Sequence, residues 1–205
     1  TKDGLDKFTY STKNATCRKC SNYCSLTINQ FNKGKYISGN RCERGAGIKS
    51  FNEELPNLYL YKYDKIMSYQ SVPQEGKIKI GIPVVLNMYE NIPFWWTFFD
   101  DLGYEIVYSD RSNKQLYELG QDSIPSDTAC YPAKIVHGHL ENLLTKNVDF
   151  IFYPNMPFNF IEKEHRDNEF NCPVVAFYPE VVGGNMDNLN LDTTTVTMEI
   201  FSRAD

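Results

Sequence analysis

The chain has 205 residues, a formal net charge of −5 and 14% aromatic residues. This length allows one ordinary domain and a small appendage, and such a domain can bury a core without covalent crosslinks. The sequence lacks the basic surface of nucleic-acid binding proteins, an apolar run long enough for a membrane helix, and an apolar N-terminal signal. We therefore expect a cytoplasmic protein. Since the chain begins without Met and stops just after a strand-like run, we also expect it to be part of a longer protein.

The N-terminal region, residues 1–50, is rich in Cys, Asn, Lys and Gly. Its segment 25–31 alternates polar and apolar residues as a strand does, and the turn residues at 32–35 lead to a return strand at 36–42. These features predict a small Cys-rich β-hairpin module. Residues 51–76 are rich in tyrosine and are interpreted as a connector.

The C-terminal region, residues 77–205, alternates short apolar runs with helix-like stretches. Strands are predicted near Lys79–Val85, Glu105–Ser109, Val148–Tyr153 and Val174–Phe177, and helices near 89–103, 113–120 and 132–146. On the first helix we expect Trp95, Phe98, Phe99 and Leu102 to form the buried stripe. This alternation predicts an α/β domain with a parallel sheet, flavodoxin-like or Rossmann-like, with helices on both faces. No G-x-G-x-x-G motif follows its first strand, so a dinucleotide site is unsupported.

Four of the six cysteines lie in the N-terminal region: Cys17, Cys20, Cys24 and Cys42. The C-x2-C pair can bind one metal from a single tight turn, and a hairpin can add the remaining thiolates of a tetrahedral site. Without a secretory signal, clustered cysteines favour metal ligation over disulfides. The spacing predicts zinc or a [4Fe–4S] cluster. Reduced, partly buried cysteines and a functional disulfide pair remain open alternatives.

The other two cysteines, Cys130 and Cys172, each lie just before an apolar element in a connection near a strand end. Ligand sites of parallel sheets gather at the carboxyl ends of the strands, and a helix N-terminus favours a thiolate. A shared site is one hypothesis, and a small buried side chain is the other. His137 and His139, two residues apart on a helix, should point to different faces and form no metal pair. No nucleophile–base pair is evident, so we expect no catalysis by this chain alone.

A family resemblance is carried by four phrases of the C-terminal region: "GIPVVLNMYENIPFWWTFFDDLGYEIVYSD", "SIPSDTACYPAKIVHGHLENLL", "VDFIFYP" and "NCPVVAFYPEVV". They resemble the uncharacterised domain of large bacterial proteins related to the activators of 2-hydroxyacyl-CoA dehydratases. The upstream phrases "CRKCSNYCSLTINQF" and "GNRCERG" are similar to the segment that precedes this domain. The resemblance covers residues 16–182.

The resemblance implies a function, because the family domain is similar to the dehydratase subunits that bind [4Fe–4S] clusters through cysteines in flavodoxin-like domains. By motif, Cys130 in "SDTACYPAK" and Cys172 in "NCPVV" match cluster-ligand positions, and Asn155 stands where related sequences often place a third cysteine. The implied function is an iron–sulfur, electron-transfer accessory domain of an activase-related protein in an anaerobe. Its implied partners are the nucleotide-binding activase domains of the same longer protein and an acyl-CoA dehydratase.

Two other functions remain open from the sequence. The chain could be a non-redox, zinc-containing interaction module that docks activase domains onto a partner enzyme. It could also bind an acyl-CoA in the crevice of the sheet, although no phosphate-binding loop supports this.

Overall fold

The computed structural model describes residues 8–48, 55–159, 168–187 and 189. The chain divides into two compact units, Thr1–Asn57 and Leu58–Asp205. The predicted division into 1–50, 51–76 and 77–205 stays a prediction, and its first boundary lies outside the described residues.

The N-terminal unit contains a three-stranded antiparallel sheet of β1 (Tyr10–Thr16), β2 (Ser25–Phe31) and β3 (Gly34–Ser38). Phe31 pairs with Gly34, so β2 and β3 form a tight hairpin. A helical turn, α1 (Glu43–Ala46), follows, and Gly47 ends it with a φ of +81°. The predicted hairpin is confirmed. The sequence did not predict β1, whose residues are almost all exposed.

The C-terminal unit alternates helices and strands. In chain order these are α2 (Leu58–Ile66), β4 (Lys79–Ile82), α3 (Met88–Asp101), β5 (Glu105–Tyr108), α4 (Lys114–Leu119), a 3-10 turn (Gln121–Ser123), α5 (Tyr131–Leu144), β6 (Phe150–Ile151) and α6 (Pro173–Gly183). Within the described part of the chain, no helix has both the length and the apolar character needed to cross a membrane.

The second sheet is parallel and has the strand order β5-β4-β6. The central strand β4 pairs Ile80 with Ile106 on one side and with Phe150 on the other. Ile80 and Ile82 have no exposed surface, as expected for a strand covered on both faces. The predicted mixed α/β architecture with a parallel sheet is therefore confirmed.

Successive side chains in and after β6 point alternately to the two faces of the sheet. The ring of Phe152 lies 4.5 Å from Trp95 and 5.0 Å from Phe99, both on α3. The neighbouring residues Ile151 and Tyr153 instead border a small cavity shared with α5 and α6. Helices therefore cover both faces of the sheet. The chain runs from β4 to β5 in one direction across the sheet and from β5 back past β4 to β6 in the other, and right-handed crossovers in opposite directions place their helices on opposite faces.

The predicted fourth strand, Val174–Phe177, is wrong, because these residues belong to α6. A short apolar run cannot be assigned to a strand or a buried helix by periodicity alone. Pro173 at the first helical position has the fixed φ angle of a helix start, and this signal favours a helix.

The predicted apolar stripe on α3 is only partly correct. Trp95 and Phe99 are buried, but Phe98 is 41% and Leu102 58% exposed. The buried face continues towards the start of the helix through Ile92 and Met88, both with no exposed surface. The spacing of these four buried residues follows one face of an α-helix.

Candidate functional site

Cys130 and Cys172 occupy equivalent positions at the starts of α5 and α6. Each is the N-cap residue, with φ −64° and ψ 154° for Cys130 and φ −62° and ψ 153° for Cys172. A proline follows each within the first turn. Both thiols are exposed, and neither side chain caps its own helix. Both are therefore available to a ligand, beside backbone N–H groups that favour negative charge.

Asn155 lies beyond β6 and is bonded to the helix that Cys172 begins. Its side chain is buried and donates from Nδ2 to Glu180 Oε1 on α6 at 2.9 Å. The next residue, Met156, donates its backbone N–H to the carbonyl of Ala176 in the same helix at 3.2 Å. The amide oxygen of Asn155 is buried and has no hydrogen-bond partner among the described residues.

The helix that Cys130 begins, α5, is connected to α6 by a chain of polar side chains. His137 of α5 bonds Ser123 Oγ through Nδ1 at 2.8 Å and the Tyr178 hydroxyl of α6 through Nε2 at 3.1 Å. Burial lowers the pKa of His137. Burial also raises the pKa of Tyr178, and the negative charge of the nearby Cys130 thiolate raises it further. Cys172 and Asn155 therefore lie on or against α6, whereas Cys130 begins the helix that is bonded to α6 through His137.

The residue types at these three positions match the chemistry of an iron–sulfur cluster. Exposed cysteines provide the thiols that such clusters need as thiolates, and the lone pairs of the Asn155 amide oxygen are unused by the described residues. The three positions offer one thiol fewer than the three-cysteine pattern implied by the family resemblance, and a cluster shared by them stays a prediction.

The four N-terminal cysteines lie on a turn and on the helical segment after the hairpin. The backbone N–H of Cys17 donates to the carbonyl of Cys24 at 2.8 Å and closes the turn between them. Lys19 donates from Nζ to the carbonyl of Arg44 in α1 at 2.5 Å, and Cys42 is the N-cap of that helical turn. Cys17 is buried, whereas Cys20 and Cys42 are exposed.

Within the described ranges, the structure groups no three His, Cys, Asp or Glu side chains as a metal site would need. It brings the segments of Cys17–Cys24 and Cys42 together through Lys19, but it does not gather their thiols. The metal site at these four cysteines stays a prediction.

His139 lies in the core with both ring nitrogens bonded by hydroxyl groups. Nδ1 lies 2.6 Å from Ser109 Oγ, and Nε2 lies 2.9 Å from Ser112 Oγ. Burial lowers the pKa of His139 to about 4. Like His137, this histidine is a satisfied core residue that leaves no nitrogen free for a metal.

A cluster of asparagines joins the ends of β4 and β6, and the sequence did not reveal it. Asn87 donates from Nδ2 to Asn171 Oδ1 at 3.2 Å, and Asn159 donates to the same oxygen at 2.7 Å. Asn171 donates from Nδ2 to the carbonyl of Met156 at 2.7 Å. These bonds connect segments far apart in the chain and hold the residue before Cys172 against the edge of the sheet. Nothing in the local phrases "LNMYEN" and "FNC" predicts that their asparagines bond each other.

The family model described as the CoA enzyme activase uncharacterised domain matches residues 79–204, more than half of the chain. The match includes Cys130, Asn155 and Cys172 and excludes the N-terminal cysteines. No curated protein and no solved structure matches the chain.

Proposed function

Because the chain belongs to the CoA enzyme activase uncharacterised domain family, we propose that it is an iron–sulfur, electron-transfer accessory domain of an activase-related protein. The observation that supports this is the pair of exposed cysteines at equivalent helix starts, with the unpartnered oxygen of Asn155 beside the second helix. Its finer fold would be flavodoxin-like, with the site at the carboxyl edge of the sheet.

In this proposal, Cys130 and Cys172 would hold a [4Fe–4S] cluster, and Asn155 or solvent would complete its ligands. The cluster would supply one-electron storage. The helix N-termini would stabilise the negative charge of the thiolates, and the buried side chains of α6 would limit access of water. The partners would be the activase domains of the longer protein and an acyl-CoA dehydratase, in the cytoplasm of an anaerobe.

Anaerobic reconstitution with iron and sulfide tests this proposal. We expect a broad visible absorbance of which Cys130→Ala and Cys172→Ala each remove the same part, because each removes a ligand of the same cluster. Asn155→Cys should increase this part, since it adds a thiolate. The matched control is Cys20→Ala, which removes an exposed cysteine of the predicted N-terminal site in the other unit. The part of the absorbance that is lost in Cys130→Ala and Cys172→Ala should be retained in this control. Absorbance that neither Cys130→Ala nor Cys172→Ala reduces would contradict the proposal.

The second candidate is a zinc-containing module that docks activase domains onto a partner enzyme. It is favoured by the exposed face of α2, where Leu58 is 68%, Tyr59 89% and Tyr61 66% exposed. Exposed aromatic residues of this kind are enriched in protein interfaces. Protein purified anaerobically that contains zinc but neither iron nor sulfide would favour this candidate over the first.

A further inference from the structure

A crevice of about 340 Å³ opens beyond the carboxyl ends of β4 and β5. It is lined by Tyr63, Val84, Leu86, Tyr89, Arg111 and Ser112. Its volume lies at the lower end of the range of small-molecule sites. Such sites gather at this edge of parallel sheets, where connections rather than strands supply the side chains.

Arg111 is the only charged residue among those that line the crevice. Its guanidinium lies 4.6 Å from the centre of the Tyr63 ring, and that ring stacks on Tyr89 at 6.0 Å. Within the described part of the chain, no carboxylate forms an ion pair with Arg111. When the flat face of a guanidinium stacks on an aromatic ring, the N–H groups at its edge stay free to donate hydrogen bonds. Their spacing matches the two oxygens of a carboxylate or phosphate.

Two carboxylates of the segments around the crevice already have cationic partners. Asp110 accepts from Lys146 Nζ at 2.7 Å and from Asn142 Nδ2 at 2.9 Å, and Glu90 pairs with Lys62. A third carboxylate, Asp64, follows Tyr63 in the chain and acts on the charge balance of that ring, but among the described residues it forms no ion pair with Arg111.

A chain of hydrogen bonds from Ser109 through His139 leaves the hydroxyl group of Ser112 as a donor at the same crevice. Ser109 Oγ accepts the N–H of Val84 at 2.8 Å, and we assign the tautomer of His139 in which Ser109 donates its own proton to Nδ1. The neutral imidazole then donates from Nε2 to Ser112 Oγ at 2.9 Å. Since Ser112 accepts this bond, its own hydroxyl proton is available to a ligand.

Leu86 adds a separate indication of function. Its φ is +45°, a left-handed backbone conformation that is costly for a bulky residue. Strained residues of this kind concentrate at ligand sites, where the surrounding structure holds them in place. Leu86 lines the crevice beside Val84 and gives it an apolar wall.

We propose that this crevice binds a small organic anion. A carboxylate or phosphate of the ligand meets Arg111 and Ser112, and its apolar or aromatic part lies on Val84, Leu86 and Tyr89. Arg111 and Tyr63 also line the adjacent cavity of about 400 Å³ along β5. Glu105 and Asp110 line that cavity as well, and their carboxylates disfavour an anion there. This site is independent of any cluster at Cys130 and Cys172.

Titration calorimetry on the 205-residue chain tests the site with benzoate and phenyl phosphate as probes. We expect saturable one-site binding of at least one probe, and the stronger probe identifies the anionic group. Inorganic phosphate should bind more weakly because it lacks the apolar part, and neutral benzyl alcohol should not bind. Arg111→Gln should weaken binding by about tenfold or more, because it removes a charge-assisted pair of hydrogen bonds. Ser112→Ala should weaken binding to a smaller degree.

The matched control is Lys114→Gln, which removes a nearby positive charge that pairs with Glu118 and does not line the crevice. It should leave binding unchanged. If Arg111→Gln does not fold, amide chemical shifts of the wild-type protein replace it, and benzoate or phenyl phosphate should move those of Leu86 and Ser112. No binding of either probe, equal binding by Arg111→Gln, or shifts that avoid Leu86 and Ser112 would overturn the proposal.

Discussion

At the scale of single residues, the two histidines of α5 show what the sequence could and could not predict. Their spacing predicted that they point to different faces of the helix, and the structure gives them separate sets of partners. Their hydrogen-bond partners are Ser109, Ser112, Ser123 and Tyr178, which lie 14 to 41 residues away in the chain, so local pattern could not identify them. The role that we propose for Arg111 was missed for the same reason, since Tyr63, which stacks on Tyr89, meets Arg111 only in the folded unit.

His139 should make the stability of the C-terminal unit depend on pH. Burial lowers its folded pKa from 6.5 to about 4, so below pH 6.5 the unfolded chain binds a proton that the folded chain does not. Stability is therefore fully present above pH 6.5 and is lost as pH falls towards 4, by about 3 kcal/mol for this group. Urea unfolding at pH 7 and pH 4.5 measures this loss.

The variant His139→Gln should show a smaller loss between these pH values, whatever its stability at pH 7. Some dependence should remain, because burial also lowers the pKa of His137 below 6.5, so the unfolded chain binds a proton at this residue in the same pH range. An unchanged pH dependence in His139→Gln would show that His139 does not carry the effect.

At the scale of elements, helices with cap residues were predicted best. Asn113 caps α4 by accepting the N–H of Leu116 at 2.8 Å, and this signal is local and readable in the sequence. The strand β1 was missed because its exposed residues carry no apolar alternation, and its pairing with β2 defines it instead. The strand predicted at Val174–Phe177 failed because its apolar run fits both a strand and a helix.

Gly138 explains why the centre of α5 contains a residue that disfavours helices. A Cβ at this position would lie 1.8 Å from the Leu116 carbonyl oxygen of α4, and one at Gly120 would lie 2.1 Å from the Gly138 nitrogen. The two segments therefore pack backbone against backbone.

Gly138→Ala should lower the free energy of unfolding by about 3 kcal/mol, since the clash with backbone outweighs the gain in helix propensity of about 1 kcal/mol. Thermal and urea unfolding measure the change. The control is Gly184→Ala, where the nearest atom to an added Cβ is 3.6 Å away and little change is expected. A fully stable Gly138→Ala variant would mean that α4 and α5 are not packed this closely.

At the scale of the whole molecule, the two units differ in how much core they contain. The large hydrophobic cluster lies entirely in the C-terminal unit, around β4, α3, α5 and α6. Between residues 8 and 48, the buried hydrophobic side chains are Cys17 and Leu26. The change in composition near residue 50 predicted two regions of different character. The crevice at Arg111 and the asparagine cluster could not be predicted, because their residues are distant in the chain and come together only in the folded C-terminal unit.

The small core of the N-terminal unit leads to a prediction about its metal. A segment such as residues 8–48, with two buried hydrophobic side chains and free cysteines, needs another source of folding free energy, and a metal can supply it. Native mass spectrometry should detect one zinc ion or an iron–sulfur mass. Cys20→Ser should lose it and reduce hydrogen-exchange protection in β2. The matched control Cys130→Ser, at an exposed cysteine of the other unit, should retain β2 protection. A metal-free wild-type chain whose β2 amides stay protected in the presence of a chelator would show that the hairpin folds without metal.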